Sequence, residues 1–199
     1  IACSSAEYGA SLTPENVPIT EEATLLPLHP YGVSKVAQDL LGFQYFVNDK
    51  IRCIRDRIFN TTGPRKATDV ASVFTKRAVL FVQGKVKTLT TGTLSTQRAI
   101  TDVRDLVTAL ILLSERGVDG DVYNVCGDAI YKIEDIITMI ENIMGTKLPH
   151  EIDPALIRSS DEPVIYGSSK KLHEATGWKQ SIPLETTLKD MIDYWRGVL

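Results

Sequence analysis

The chain has 199 residues, 43% hydrophobic and 24% charged, proportions of a folded globular protein long enough to bury a core without a disulfide or metal framework. Its net charge of −3, with basic residues scattered, argues against a nucleic-acid partner. No run reaches the roughly 18 consecutive apolar residues of a membrane span, and the opening Ile1-Ala2-Cys3-Ser4-Ser5 has neither the basic nor the apolar region of a signal peptide. Cys3, Cys53 and Cys126 form no Cys-x-x-Cys and have no histidine at metal-ligand spacing. No metal site is expected, and a reduced, cytoplasmic setting is. The chain has no initiator Met and opens in mid-strand, which reads as a fragment or a trimmed chain.

Residues 1–4 read as the end of a buried strand emptying into a loop at Ser4-Ser5. Residues 10–30 are rich in Pro, Thr and Glu, without a period, and read as a loop ending at Pro30. Val33, Val36, Ala37, Leu40, Leu41 and Tyr45 recur at helical spacing, predicting a helix from Tyr31 to about Asn48. Its apolar side is expected to form core, a dimer face, or both. Residues 51–59 read as a strand, although Arg55 and Asp56 place charges in it, and a loop follows through Gly63-Pro64. Asp69 is placed to cap a helix to about Gln83, with Gly84 as its stop. Val86–Leu89 is a short strand candidate. Asp102 opens the next helix, and Asp121–Val125 reads as a strand. Residues 132–144, Ser168–Thr176 and Leu184–Trp195 read as helices. Strands alternating with helices of this length predict an α/β fold with a largely parallel sheet.

Tyr31-Gly32-Val33-Ser34-Lys35 carries a Tyr-x-x-x-Lys spacing. Residues four apart share one face of a helix, so phenol and ammonium can enter one pocket. A neighbouring cation favours a phenolate, which suits a tyrosine to general acid/base work. Ser4 or Ser5, at the strand end, can supply a hydroxyl to hold a substrate oxygen. The spacing alone is common on amphipathic helices; its context is what singles it out.

Four segments supply that context. They are Cys3-Ser4-Ser5-Ala6-Glu7-Tyr8-Gly9, His29-Pro30-Tyr31-Gly32-Val33-Ser34-Lys35, Arg57-Ile58-Phe59-Asn60-Thr61-Thr62-Gly63-Pro64-Arg65, and Gln97 to Asp105 with its Arg-x-x-x-x-Val-x-Asp pattern. In this order they resemble the extended short-chain dehydrogenase/reductase family, the nucleotide-sugar epimerases, dehydratases and reductases, and the resemblance runs over essentially the whole chain. It implies the C-terminal part of a Rossmann-like parallel sheet plus a small mixed α/β substrate-binding lobe. Residues 1–60 would be the remnant of the Rossmann-like domain. Residues 61–199 would be mainly the nucleotide-sugar-binding region, with some elements returning to the sheet. The resemblance makes Ser4, Tyr31 and Lys35 catalytic, with Tyr31 and Lys35 also meeting the nicotinamide ribose of NAD or NADP. Asn60, Arg65, Arg98 and Arg158 would bind the nucleotide-sugar, the arginines through the guanidinium fork that suits phosphates. A homodimer is also implied.

The family's Gly-x-x-Gly-x-x-Gly turn brings backbone against the cofactor pyrophosphate. None of the 13 glycines falls into that spacing after a strand. The absent half would amount to on the order of a hundred residues, at about 30 per βαβ unit. The chain alone is therefore expected to bind cofactor weakly and to be inactive. A 4,6-dehydratase of this family commonly has Glu two residues before the Tyr-Gly; here that position is Ala6, and Glu7 is one residue off. The segment from Asp161 to Leu172, followed by Thr176-Gly177-Trp178-Lys179, resembles the GDP-mannose branch. Together these favour a GDP-4-keto-6-deoxymannose reductase with a GDP-sugar substrate. The alternatives are a GDP-mannose 4,6-dehydratase, a UDP-sugar 4-epimerase, or a non-catalytic sugar-nucleotide-binding or scaffold protein.

Overall fold

A computed structural model describes residues 1–157 and 162–199. In chain order, β1 is Ala2–Ser4, α1 Pro30–Asp49, β2 Arg55–Ile58, β3 Thr61–Thr62 and α2 Val70–Val82. Then come β4 Leu89–Thr91, β5 Gln97–Ala99, β6 Thr101–Asp102, α3 Val103–Arg116, β7 Val122–Val125 and β8 Ile130–Lys132. The chain closes with α4 Ile133–Met144, β9 His150–Ile152, β10 Val164–Ile165, α5 Lys170–Thr176 and α6 Leu184–Val198. A single 3-10 turn, Ser5–Glu7, follows β1.

The parallel sheet has the order β1-β2-β7, so β7 returns from the second half of the sequence to pair with β2, Asn124 opposite Arg57. β1 is an outer strand; its ladder partner is β2, with Cys3 opposite Arg57. On one face of this sheet, α3 and α5 bury Ala109, Leu113 and Leu172 with Trp178 against Tyr123 and Val125. On the other lies α1, and it packs unusually. The residues it buries are Gly32, Asp39 and Gly42, while Val33, Leu40, Leu41 and Phe43 are exposed. The outward apolar stripe produced the helical period, but the sheet-facing side is two glycines and an acid. The expectation of core packing for that stripe is thereby overturned.

The second half is a separate apolar body. Phe74 and Ala78 of α2, Ile136 and Ile140 of α4 and Leu188, Met191 and Ile192 of α6 share one core with Leu89 and Leu148. Short ladders fasten this body: β3 with β6, β4 with β9, and β5 between β10 and β8. The strand expected at 86–89 forms instead at Leu89–Thr91, paired with β9. Asp69 does cap α2, its Oδ1 accepting the Ser72 amide at 2.6 Å. Asp102 likewise caps α3, and accepts the Thr187 hydroxyl of α6 at 2.7 Å. Asp105, the end of the Arg-x-x-x-x-Val-x-Asp segment, is structural: its carboxylate accepts the Ser181 hydroxyl and the Ser181 and Ile182 amides. Among the described residues no helix is long and apolar enough to cross a membrane.

Candidate active site

Ser4 ends β1 and caps the 3-10 turn, its hydroxyl accepting the Ala6 amide at 3.2 Å. α1 starts against that turn. His29 Nδ1 accepts the Gly32 amide at 3.2 Å and Pro30 occupies the first helical position, where its missing N–H costs nothing. Gly32 permits the contact, since a Cβ there would lie 2.5 Å from the Ala6 carbonyl oxygen. The close approach brings Tyr31 and Lys35 to the cleft that Ser4 and Ser5 line, a space of about 650 Å³. Lys35 Nζ lies 5.8 Å from the Tyr31 ring centroid and donates to the Ala2 carbonyl and Gln38 Oε1, both at 2.8 Å. Tyr31 is 55% exposed, so its hydroxyl is open to a ligand.

Asn60 and Arg65 line the same cleft from the loop after β2, together with Lys66. Arg65 sits at φ +76°, in the left-handed region that side chains with a Cβ seldom adopt. Lys35, Arg65 and Lys66 thus put three cations around a cleft with no carboxylate among its described lining residues. A second space of about 600 Å³ adjoins it, sharing Asn60, Thr61, Thr62 and Lys66 and extending to Thr90, Thr91 and Arg98. The Arg98 guanidinium donates to the Gln97 and Glu162 carbonyls at 2.8 and 2.9 Å. The fold therefore gathers Ser4, Tyr31, Lys35, Asn60 and Arg65 at one cleft, with Arg98 at its extension. Arg158 lies outside the described residues.

The Tyr8-Gly9 pair that marks the first motif is structural. The Tyr8 hydroxyl donates to Asn124 Oδ1 at 2.6 Å and receives Arg57 Nη1 at 3.1 Å. Gly9, at φ +46°, lies against the Leu26 carbonyl where a Cβ would clash. Tyr8 and Gly9 thereby pin the loop of residues 10–29 over the sheet.

Beneath the cleft lie groups that motif reading passed over. Arg55 and Arg57 alternate onto the α1 side of β2. There Asp39 accepts from Arg55 Nη1 at 2.5 Å and Arg57 Nε at 2.9 Å, which accounts for charge inside this strand. Asp56 points to the other side, 3.8 Å from the N-terminal ammonium; burial pushes its carboxyl up to about 6. Glu7 is buried in the 3-10 turn, Oε1 accepting the Ser4 amide at 2.8 Å. Burial first, and then the Asp39 carboxylate, raise its carboxyl to about 7, against the Ser4 amide and Arg57. Cys3 Sγ and the Glu7 and Asp39 carboxylates converge within 4.8 Å, but the arginines already balance the charge, and burial drives the Cys3 thiol up to about 12. The sequence did hold a signal: charges alternating in a strand, and an acid one helical turn beyond Lys35.

A parallel sheet that ends a strand at a cleft serine, with a helix presenting tyrosine and lysine one turn apart, matches the Rossmann-like fold of the epimerases and dehydratases. The chain belongs to the GDP-mannose 4,6-dehydratase family, whose model matches residues 1–191. GDP-6-deoxy-D-mannose reductase of Pseudomonas aeruginosa is 31% identical over 196 residues, 98% of this chain and 64% of that protein. UDP-glucose 4-epimerase of Azospirillum brasilense is 28% identical over 190 residues, 87% of this chain and 53% of that protein. Among solved structures, RMD from Pseudomonas aeruginosa complexed with NADPH superposes with a TM-score of 0.93 at 30% identity, covering 100% of this chain and 66% of that one. The chain thus spans between half and two thirds of the length of these relatives.

Proposed function

We propose that this chain carries the proton-transfer and substrate side of a nucleotide-sugar reductase acting on the C4 ketone of a GDP-4-keto-6-deoxyhexose. The observation that carries the reading is the meeting of Ser4, Tyr31 and Lys35 on one cleft, with Ala6 where a dehydratase of this family has its extra acid. Glu7 does not take over that task, because its carboxylate turns inward to the Ser4 amide.

Reduction of a ketone adds a proton to its oxygen. Tyr31 supplies that proton, and the Ser4 hydroxyl donates a hydrogen bond to the same oxygen, stabilising charge as it develops. Arg65 and Lys66 hold the diphosphate, Asn60 orients it, and Arg98 lies at the adjoining space that takes the rest of the nucleotide. Lys35 suits the ribose hydroxyls at the nicotinamide end of NAD or NADP, which when bound supplies the hydride. The residues fit that end of the cofactor and not its pyrophosphate: among the described residues, no strand of the parallel sheet passes into a helix through a run of glycines. The cations Lys35, Arg65 and Lys66 around the cleft also suit, as a second reading, a sugar-nucleotide-binding protein without catalysis. The three buried free thiols fit a reducing compartment such as the cytoplasm.

Thermal unfolding of the chain with GDP-, UDP- and dTDP-sugars tests the substrate side. A ligand that binds the folded state at 100 times its Kd adds about 2.7 kcal/mol of stability, so the GDP-sugar is expected to give the largest rise in Tm. An equal response to all three, or none, refutes the assignment. Calorimetric titration with NADP of a form that includes the cofactor-binding part of the relatives separates the two readings: binding accompanied by turnover selects the reductase, and binding without turnover the second reading.

A further inference from the structure

Beneath the cleft lie ionisable groups that this reaction does not use. Glu7 and Asp39 are both fully buried. Glu7 Oε1 is satisfied by the Ser4 amide, but Oε2 accepts no hydrogen bond among the described residues. It lies 3.4 Å from Arg57 Nε, which donates instead to Asp39. The groups facing Glu7 are Arg57 from β2, Asp39 from α1 and Cys3 from β1; Tyr8, the next residue, is bonded to Arg57 as well. Two buried carboxylates this close favour holding one proton over ionising together. A proton on Oε2 converts a buried acceptor lacking a donor into a donor aimed at Asp39.

Asp39 stands one helical turn beyond Lys35 and two beyond Tyr31, on the same side of α1. The connected groups therefore run from the Ser4 amide through Glu7 to Asp39 and Arg57, and along α1 to Lys35 and Tyr31. We propose that Glu7 is a positioning residue: held by the Ser4 amide on one side and by Asp39 and Arg57 on the other, it fixes the Ser4 turn against the helix that carries Tyr31 and Lys35. This rests on reading Ser4, Tyr31 and Lys35 as the reacting side chains. Loss of the Glu7 proton sets two carboxylates against each other and loosens the link, so the Ser4 turn is held more firmly below neutral pH than above it.

NMR pH titration of the 199-residue chain, of Glu7→Gln and of Glu7→Ala tests this. In the unsubstituted chain the Ser4 amide proton and the Arg57 Nε proton are expected to shift together, with a midpoint near 7. Glu7→Gln keeps an acceptor for Ser4 and a donor for Asp39. It should leave the Ser4 amide at its low-pH position and abolish the titration there. Glu7→Ala should displace the Ser4 amide at every pH, so that glutamine rescues what alanine loses; should Glu7→Ala not fold, Glu7→Gln decides alone. A Ser4 amide that titrates near the ordinary glutamate value of about 4.3, does not titrate, or moves with a midpoint different from that of the Arg57 Nε proton overturns the proposal. A purely structural role moves the melting temperature but not this signature. No substrate or cofactor enters the measurement, so a failure of the reductase reading shows in the nucleotide-sugar series and not here.

Discussion

Tyr31 and Gly32 are neighbours with opposite demands. Tyr31 is exposed, so Tyr31→Phe removes the proton donor and little else. In a form that includes the cofactor-binding part of the relatives, turnover is expected to fall by about 10²–10⁴ with an unchanged melting temperature, read by a ketosugar reduction assay beside thermal unfolding. Gly32 faces inward, where a methyl group would meet the Ala6 carbonyl at 2.5 Å. Both partners of that clash are backbone, so the added atom forces the helix off the Ser4 turn. Gly32→Ala should cost about 1–3 kcal/mol, the range for overpacking a close contact, read from the urea midpoint. Arg65 makes a third case: its left-handed backbone costs on the order of 1 kcal/mol or more, spent to aim a cation into the cleft. That Tyr31, Lys35 and Ser4 meet at one cleft was legible in the sequence through the order of the four motifs, since the Tyr-x-x-x-Lys spacing alone is common. Gly32 and Glu7 were not, because what they do depends on partners that the fold brings from other elements.

At the level of elements, the long helices were legible and the short strands were not. α2 and α4 show their period because one side of each faces the apolar core of the second half. β3 and β6 have two residues each, and β5, β8 and β9 three, too short for an alternating pattern to declare itself. β2 was legible as a strand, but its charges had no explanation until Asp39 of α1 came to face them. The buried acids of β2 and the 3-10 turn also set a pH dependence. Glu7 rises from 4.5 to about 7 and Asp56 from 3.8 to about 6, each mainly through burial. The folded state therefore binds more protons than the unfolded one between those values. The contribution of these acids is complete below their unfolded pKa values and is lost as pH rises through about 6 and 7. The urea midpoint should accordingly be lower at pH 8 than at pH 5, and Glu7→Gln should flatten the part of that slope nearest neutrality.

On the scale of the whole molecule, α1 poses the largest question. A 20-residue helix leaves Val33, Leu40 and Leu41 each at least 55% exposed. Contiguous apolar surface of this kind marks an association face. We propose that a second copy of the chain covers it, and expect Leu40→Glu to shift the species seen by sedimentation velocity from dimer to monomer without altering the melting of the monomer. The outer strand β1 has a different exposure. The polar groups on its unpaired side are already engaged: Lys35 holds the Ala2 carbonyl and Glu7 the Ser4 amide. Lys35 and Glu7 therefore anchor the strand that delivers the cleft serine, and a substitution of either is expected to move Ser4 as well as to remove its own charge.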